Sequence, residues 1–318
     1  MTIGIGAFGS QAGLAVFRAL QAAEAVGRGA IGGFAVYAAL SQHGTVYRYE
    51  TQRGGSRTLF IDGEQTGVEP PEPVAQAIAA AVISSGPDRP VPLDQFLSAD
   101  AKGGLVSGHR LPNSIGVDGQ SLNSQVLNDL IEGKPAHIAV KTVLERNPQA
   151  DAGLIAVDLA GHVYAQNSER VQRRPDLGHA FYEDGMSGAR VSVLHNAIRP
   201  YSSLASLVAE IALDEMTASP TATGWITIPV GISVTTGDED AIIVDENGIA
   251  RQIVTTDSRF THGEQIGAAI YLHSVIRQTD GQIFGKTLFE PMCTVKHGQL
   301  VDMSGQSTIR MNYQEDDR

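Results

Sequence analysis

The spacing of apolar and polar residues predicts one β-hairpin that recurs along the chain. In residues 152–170, AGLIAVDLAGHVYAQNSER, an apolar run is followed by a short turn around Asp158 and Gly161 and then by a second alternating strand. Residues 32–53 have the same layout, and residues 241–259 have a looser version of it. A short turn containing glycine joins antiparallel strands, so each copy is predicted to be an antiparallel pair.

A strand and a helix precede each hairpin, and this unit of strand, helix and hairpin is predicted to occur three times. The opening strands are small-residue or apolar segments, and each is followed by residues with helical periodicity. We therefore predict an internal duplication with units near residues 2–60, 103–175 and 189–260.

Four further segments complete the predicted elements. The alanine-rich residues 74–82 and the later residues 264–276 are predicted helices, and a last hairpin is expected around His297 and Gly298. The polar, acidic residues 311–318 are predicted to form a flexible tail.

The predicted order of elements favours an α+β fold over a doubly wound parallel sheet. Hairpins make neighbouring strands antiparallel, whereas a doubly wound sheet needs parallel ones. Antiparallel sheets with helices on their outer faces form a layered sandwich of the αββα type. We therefore predict a single globular domain over residues 1–318, built as such a sandwich from the repeated units.

Composition and charge exclude several classes of function. With 42% apolar and 18% charged residues the chain has the composition of a folded protein, and its net charge of −12 argues against nucleic-acid binding. The lone cysteine, Cys293, excludes an intramolecular disulfide and a cysteine-built zinc site. The histidines show no metal-binding spacing, so neither a metal nor a cofactor is expected.

The sequence predicts no targeting or membrane segment. Residues 1–13 lack the basic region of a signal peptide, and no run of about 20 apolar residues spans a bilayer. We expect a cytoplasmic protein with a small-molecule substrate and without nucleic-acid or membrane partners. Exposed apolar strands allow a homo-oligomer.

Polar side chains gather where the second and third opening strands end. They are Ser107, His109, Arg110, Asn113, His195 and Asn196. If equivalent strand ends converge, Ser107 is a candidate nucleophile with His109 or His195 as its base. In an extended strand, however, Ser107 and His109 lie about 6.6 Å apart, too far for a hydrogen bond without a bend. The alternative is that these groups only satisfy backbone and water.

Thr2 is a second candidate nucleophile. Removal of Met1 would leave a threonine with a free amine at the start of a buried strand, and an N-terminal threonine can use that amine as its own base. The alternative is that Thr2 is an ordinary strand residue, because a retained methionine blocks the amine.

Arginines end the hairpins and are candidates for substrate binding. A planar guanidinium binds a carboxylate through two hydrogen bonds. Arg53, Arg170 and Arg259 are therefore candidates for a carboxylate-binding ring. Arg110, Asn113 and Asn196 are further candidates for substrate contacts. In an acidic chain, the alternative is that these arginines pair with the protein's own carboxylates.

The middle of the chain resembles a known group of proteins. Residues 103–216 contain GGLVSGHRLPNS, IEGKPAHIAVKTVLERNP, AGLIAVDLAGHVYAQNS and VSVLHNAI. In these features the segment resembles uncharacterised bacterial proteins with an N-terminal-nucleophile (Ntn) hydrolase-like αββα fold, with Asn113, Asp158, Gly161 and Asn196 at the landmark positions. The resemblance implies that fold, and it transfers no catalytic residue.

Two functions are therefore expected as alternatives. The first is an amidohydrolase that acts on a small, carboxylate-bearing amide, with Ser107 or Thr2 as nucleophile and His109 and His195 in proton transfer. The second is a non-catalytic protein that uses the same fold to bind a small molecule or to build an assembly.

Overall fold

The structure, a computed structural model, describes residues 1–217 and 224–315. Where the sequence predicts a single domain, the chain divides into two compact units, Met1–Ala218 and Ser219–Arg318. The third predicted repeat therefore crosses the boundary, because its strand and helix belong to the first unit and its hairpin to the second.

The first unit contains all the described α-helices and the following strands. The helices are α1 (Ala12–Val26), α2 (Ser56–Leu59), α3 (Glu72–Ala75), α4 (Leu122–Ile131), α5 (Ala136–Arg146), α6 (Glu169–Gln172) and α7 (Leu204–Thr217), with a 3-10 turn at Leu93–Phe96. The strands are β1 (Thr2–Phe8), β2 (Ala35–Leu40), β3 (Val46–Thr51), β4 (Ile61–Asp62), β5 (Gln65–Thr66), β6 (Ala79–Ser85), β7 (Ser98–Asp100), β8 (Gly104–Arg110), β9 (Ala152–Val157), β10 (Val163–Asn167), β11 (Leu177–Glu183) and β12 (Arg190–Asn196).

Antiparallel sheets and helices make the first unit an α+β structure, as predicted. A six-stranded sheet has the order β11-β12-β1-β6-β2-β3, and a four-stranded sheet has the order β10-β9-β8-β7. The pairs β2–β3 and β9–β10 are antiparallel and confirm two of the predicted hairpins. However, β6 lies between β1 and β2, whereas β8 and β9 are direct neighbours. The predicted units thus differ in pairing, and the internal duplication stays a prediction.

Alternate residues of β1 pack on opposite faces of the six-stranded sheet. Ile3, Ile5 and Ala7 are fully buried in a core cluster that includes α1 and α7. These two helices cover that face because their apolar stripes of alanine, valine and leucine fit against it. The remaining residues of β1, including Thr2 and Gly4, therefore point to the other face.

The other face of the six-stranded sheet packs on the four-stranded sheet. Val36 and Ile83 from the first sheet share a core cluster with Leu105, Ile155 and Val157 from the second. The far side of the four-stranded sheet is buried in a separate cluster with residues of α4 and α5. Thr2 accordingly begins a central strand and faces the layer between the two sheets.

Glycines allow the two sheets to approach closely beside β1. A Cβ atom added to Gly4 would lie 2.2 Å from the carbonyl oxygen of Gly108 on β8, so the backbones themselves are in contact. Real Cβ atoms do not come so close, and any larger residue must push the sheets apart.

Gly4→Ala is expected to lower the free energy of unfolding by about 1–3 kcal/mol, because an added methyl group overpacks a rigid core. Chemical denaturation followed by circular dichroism measures this change. Gly185→Ala is the matched control, since nothing lies within 4 Å of a Cβ added there. Equal stabilities of the two variants would contradict the close packing of β1 on β8.

The second unit is built from one sheet. Its strands are β13 (Gly224–Pro229), β14 (Ser233–Thr236), β15 (Ala241–Val244), β16 (Ala250–Thr255), β17 (Glu264–Gly267), β18 (Val275–Gln278), β19 (Ile283–Thr287), β20 (Cys293–Lys296), β21 (Gln299–Asp302) and β22 (Thr308–Gln314), with a 3-10 turn at Ser258–Thr261. They form a ten-stranded sheet of order β13-β22-β19-β18-β15-β16-β14-β21-β20-β17. A bridge between Thr227 and Ile249 brings β13 back beside β16, so the sheet is curled. The antiparallel pairs β15–β16 and β20–β21 confirm the last two predicted hairpins.

Three predicted elements are wrong. Residues 74–82 are not a helix, since α3 ends at Ala75 and the buried strand β6 begins at Ala79. Residues 264–276 contain β17 and the start of β18 instead of a helix. The first half of the predicted flexible tail, residues 311–314, lies in β22, which pairs with β13 and β19; residues 316–318 lie outside the described residues.

The described helices include none that could cross a membrane, because none combines sufficient length with sufficient apolar character.

Candidate functional site

The hydroxyl of Thr2 is the centre of a buried polar cluster at one end of the two sheets. Thr2 is the first residue of β1 and is 5% exposed. Its cross-strand neighbours are Ser85 on β6 and Asn196 on β12, whose side chains lie on the same face. The Thr2 hydroxyl donates a hydrogen bond of 2.9 Å to Oδ1 of Asn196. β1 thus presents a hydroxyl group between the sheets.

A strained backbone segment completes the cluster from the opposite sheet. The backbone N–H of Arg110, at the end of β8, donates to Oγ1 of Thr2 over 2.5 Å. Arg110 has a φ of 64°, and Ala197, which follows Asn196, has a φ of 58°. Residues other than glycine rarely adopt such angles, and they cluster where function requires a particular backbone geometry. Arg110 contacts the Thr2 hydroxyl directly, and Ala197 follows the residue that accepts the hydrogen bond of this hydroxyl.

His109 and Asn167 extend the cluster into the core. Nε2 of His109 lies 2.6 Å from Oδ1 of Asn167, on β10. Burial lowers the pKa of His109 to about 4, although the side chains of Asn167 and Asn196 oppose the shift. The imidazole is therefore neutral at pH 7, so it can position its neighbours but is a weak base. Its Nδ1 has no partner among the described residues.

Guanidinium groups surround the start of β1. Burial, followed by Arg89, Arg110 and Arg174, lowers the pKa of the amino group of Met1, while Asp176 opposes the shift. Positive charge and partial burial both disfavour a protonated amine at this end of the strand. Three arginines thus act on the amine at the start of β1, and one carboxylate opposes them.

Two of these arginines are held by carboxylates. Arg110 forms a two-bonded ion pair with Asp151, including a contact of 2.5 Å from Nη2 to Oδ2, and this pairing lowers the pKa of Asp151. Arg174 pairs with Asp176 in the same manner at 2.9 and 2.6 Å and lowers the pKa of Asp176. Each pair fixes a guanidinium beside the cluster and largely neutralises it.

The structure does not bring Ser107 to a histidine. Ser107 is fully buried, and its hydroxyl donates a hydrogen bond of 2.8 Å across the sheets to the carbonyl of Val82. This bond gives the hydroxyl a structural partner between β8 and β6, so a catalytic role for Ser107 finds no support in its geometry.

Ser107→Ala is expected to leave the rate of any hydrolysis unchanged and to lower the free energy of unfolding by about 1–3 kcal/mol, because the Val82 carbonyl loses a partner in the core. Parallel assays of amide hydrolysis and chemical denaturation measure both effects. A stable Ser107→Ala protein without activity would restore Ser107 as the candidate nucleophile.

His195 lies on the opposite face of the sheet from Thr2. It pairs with Ile3 and Gly178, and neighbouring residues of a strand alternate between faces, so His195 points to the side of α7 while Asn196 points to Thr2. Burial lowers its pKa to about 4, and neither ring nitrogen has a partner among the described residues. His195 and Thr2 are therefore not brought together.

The hairpin arginines do not form a ring. Arg53 makes an exposed ion pair with Asp88 at 2.7 Å, and Arg259 pairs with Asp257 in the second unit at 2.6 Å. Arg170 is exposed and its guanidinium reaches the Gln149 carbonyl at 3.5 Å, although its charge still acts on Asp151. For Arg53 and Arg259, the structure matches the expectation of pairing with the chain's own carboxylates.

Asn113 belongs to a different part of the first unit. Its Nδ2 donates to Oε1 of Gln95 over 2.6 Å, and the residue lines a cavity of about 460 Å³ together with Arg48 and Ser121. Neither Thr2 nor Asn196 lines this cavity, so Asn113 is separate from the Thr2 cluster.

Sequence reasoning missed Ser85, Arg89, Asn167 and Arg174. No short motif joins these residues to Thr2, since the contacts arise only when β6, β10 and the segment before β11 meet at one end of the sheets. Among the described residues, no group of three or more His, Cys, Asp and Glu side chains gathers closely enough to hold a metal.

The candidate site lies in an α+β unit. It is centred on a buried threonine hydroxyl at the start of a central strand. The chain belongs to the family described as a domain of unknown function (DUF6963), whose model matches residues 2–225, more than half of the sequence. Residues 231–308 are similar to a second domain of unknown function (DUF7259). No curated protein sequence matches the chain significantly.

Proposed function

We propose that the first unit is an Ntn-type amidohydrolase in which Thr2, with a free α-amino group, is the nucleophile. The observation that carries the proposal is the position of Oγ1 of Thr2, between the Arg110 N–H and the Asn196 side chain at the start of β1. The substrate is a small amide that bears a carboxylate, because arginines surround the site.

The packing of the layers supports this proposal. The helices α1 and α7, the two antiparallel sheets, and the helices α4 and α5 share three successive core clusters. Their order fits an αββα sandwich, which is the arrangement implied by the resemblance of residues 103–216 to Ntn hydrolase-like proteins.

The reaction requires cleavage of the peptide bond between Met1 and Thr2. Oγ1 of Thr2 then attacks the amide carbonyl carbon, and its proton passes to the α-amino group of the same residue. The C–N bond breaks, and the leaving amine takes that proton. Water then hydrolyses the acyl ester on Thr2, releasing the acid and restoring the hydroxyl.

Neighbouring groups are suited to assist this reaction. The Arg110 N–H donates to Oγ1 of Thr2, and Oδ1 of Asn196 accepts from the same hydroxyl. The proposal assigns the Arg110 N–H, together with Nδ2 of the same Asn196 amide, to stabilise the negative charge that develops on the attacked carbonyl oxygen. The environment that lowers the pKa of the Met1 amine would act on a Thr2 amine as well. A lowered pKa increases the unprotonated fraction of the amine at a given pH, and the unprotonated form is the one that acts as a base.

One contact of Met1 favours a second function, which is the binding of a small anionic molecule without catalysis. Its Sδ lies 3.1 Å from the backbone N of Ala30, which holds the methionine in place beside Gly29. A protein that keeps the Met1–Thr2 bond has no free Thr2 amine, and the cluster would then only bind a small anionic molecule.

Intact-mass measurement and an amide panel distinguish the two functions. The hydrolase function predicts that the purified protein begins with Thr2 and releases amines from small carboxylate-bearing amides. A protein that begins with Met1 and hydrolyses none of them would support the binding function instead.

A further inference from the structure

One side chain, that of Ser85, separates Arg89 from Thr2. Ser85 is the direct cross-strand neighbour of Thr2, and paired residues of an antiparallel sheet have Cβ atoms about 5 Å apart. Nε of Arg89 donates to Oγ of Ser85 over 2.7 Å. The guanidinium is therefore held one side chain away from Thr2.

The backbone of Arg89 is also held in place. Its N–H donates to Oε1 of Gln52 over 2.9 Å, and its carbonyl accepts from Nε2 of Gln52 at 2.7 Å. Together with the bond to Ser85, these contacts fix both ends of the residue. A guanidinium held in this way loses little entropy when it binds a ligand, so it is preorganised.

Arg89 differs from its neighbours in having no carboxylate partner. Arg110 and Arg174 are paired with Asp151 and Asp176, and the nearby Arg53 is paired with Asp88. Among the described residues, the Nη atoms of Arg89 make no hydrogen bond, and no carboxylate lies within 4.0 Å of its guanidinium. Its side chain is only half exposed, so this charge is partly shielded from water.

We propose that Arg89 is the specificity-determining residue that binds the carboxylate of the substrate through its two free Nη groups. This assignment rests on the proposed hydrolase function of Thr2 and names the group that selects its substrate. Because only the Ser85 side chain separates Arg89 from Thr2, the carboxylate of the ligand must lie close to its scissile carbonyl. The preferred substrate is therefore a short acyl amide whose carboxylate lies only a few bonds from the scissile carbonyl, such as a monoamide of a dicarboxylic acid.

The test compares N-succinyl and N-glutaryl 4-nitroanilides with their methyl esters, which have the same shape without the charge. Arg89→Met is expected to lower kcat/KM for the two acids by roughly 10- to 100-fold relative to the esters, because charge-assisted hydrogen bonds are lost. Arg89→Lys should recover only part of this preference, since lysine lacks the planar fork. Arg173→Met, an exposed arginine paired with Glu169, is the control and should keep the wild-type preference.

Calorimetric binding of succinamate to the Thr2→Ala protein separates this proposal from the hydrolase itself. We expect binding that is at least about tenfold weaker when Arg89→Met is added, whether or not the wild-type protein hydrolyses any amide. Equal binding with and without Arg89, or an equal loss of kcat/KM for acids and esters, would overturn the assignment. Hydrolysis that depends on Thr2 but shows no dependence on Arg89 would leave the proposed function intact and remove only the role of Arg89.

Discussion

Thr2→Ala is expected to lower kcat for amide hydrolysis by at least about 10⁴-fold, since it removes the only atom proposed to attack the carbonyl. Thr2→Ser keeps a hydroxyl on the same carbon and should retain most of the activity. Initial rates on the nitroanilide panel, measured for both variants at the same concentration of protein, give the comparison.

Stability must be followed in the same experiment because Thr2 also has a structural contact. The Thr2→Ala protein loses the acceptor for the Arg110 N–H, which costs about 1–3 kcal/mol for a buried donor. A folded Thr2→Ala protein without activity therefore fits the account. A folded Thr2→Ala protein with the wild-type rate would exclude Thr2 as the nucleophile.

Asn196→Ala is expected to lower kcat by about 10²–10³-fold, with a smaller change in KM. The Asn196 side chain accepts the hydrogen bond of the Thr2 hydroxyl through Oδ1. We propose that Nδ2 of the same amide donates to the oxygen of the attacked carbonyl. Both contributions act in the transition state and should appear mainly in kcat. Steady-state kinetics on the preferred amide measure this split.

Asn123→Ala is the matched control for this second prediction. Asn123 is also fully buried, and its Nδ2 donates to the Gln95 carbonyl over 2.8 Å, away from the Thr2 cluster. Both variants lose a buried amide and should be destabilised, but only Asn196→Ala should lower kcat. Equal effects of the two variants on kcat would show that Asn196 acts through stability alone.

The local elements of the first unit were largely predictable from the sequence. β1 alternates isoleucine with glycine, which is a strand pattern although both of its faces are buried, and the helical spacing of α1 reports the one face that this helix buries. The strand β6 was not predictable in this way. It lies inside the sheet and is buried along its whole length, so its alanines carry no alternation and resemble a helix.

This error concealed two residues of the candidate site. Ser85 ends β6 and Arg89 follows it, and a helical interpretation of residues 74–82 gives no reason to place either beside Thr2. Thr2, Arg110 and Asn196 were recognisable because they begin or end strands that the sequence does reveal. Ser107 and His195 also lie on strands that the sequence reveals. However, the Ser107 side chain bonds to the Val82 carbonyl, and the His195 side chain lies on the opposite face of the sheet from Thr2.

The most direct test is to map where an acyl group becomes attached. The protein is incubated with an activated succinyl ester, digested with trypsin, and its N-terminal peptide is analysed by mass spectrometry. We predict a peptide of residues 2–18 that carries one succinyl group as an ester on Oγ1 of Thr2, which hydroxylamine removes, unlike an amide on the α-amine. A peptide that begins with Met1, or a succinyl group on another residue with Thr2 unmodified, would contradict the proposal that Thr2 is the nucleophile.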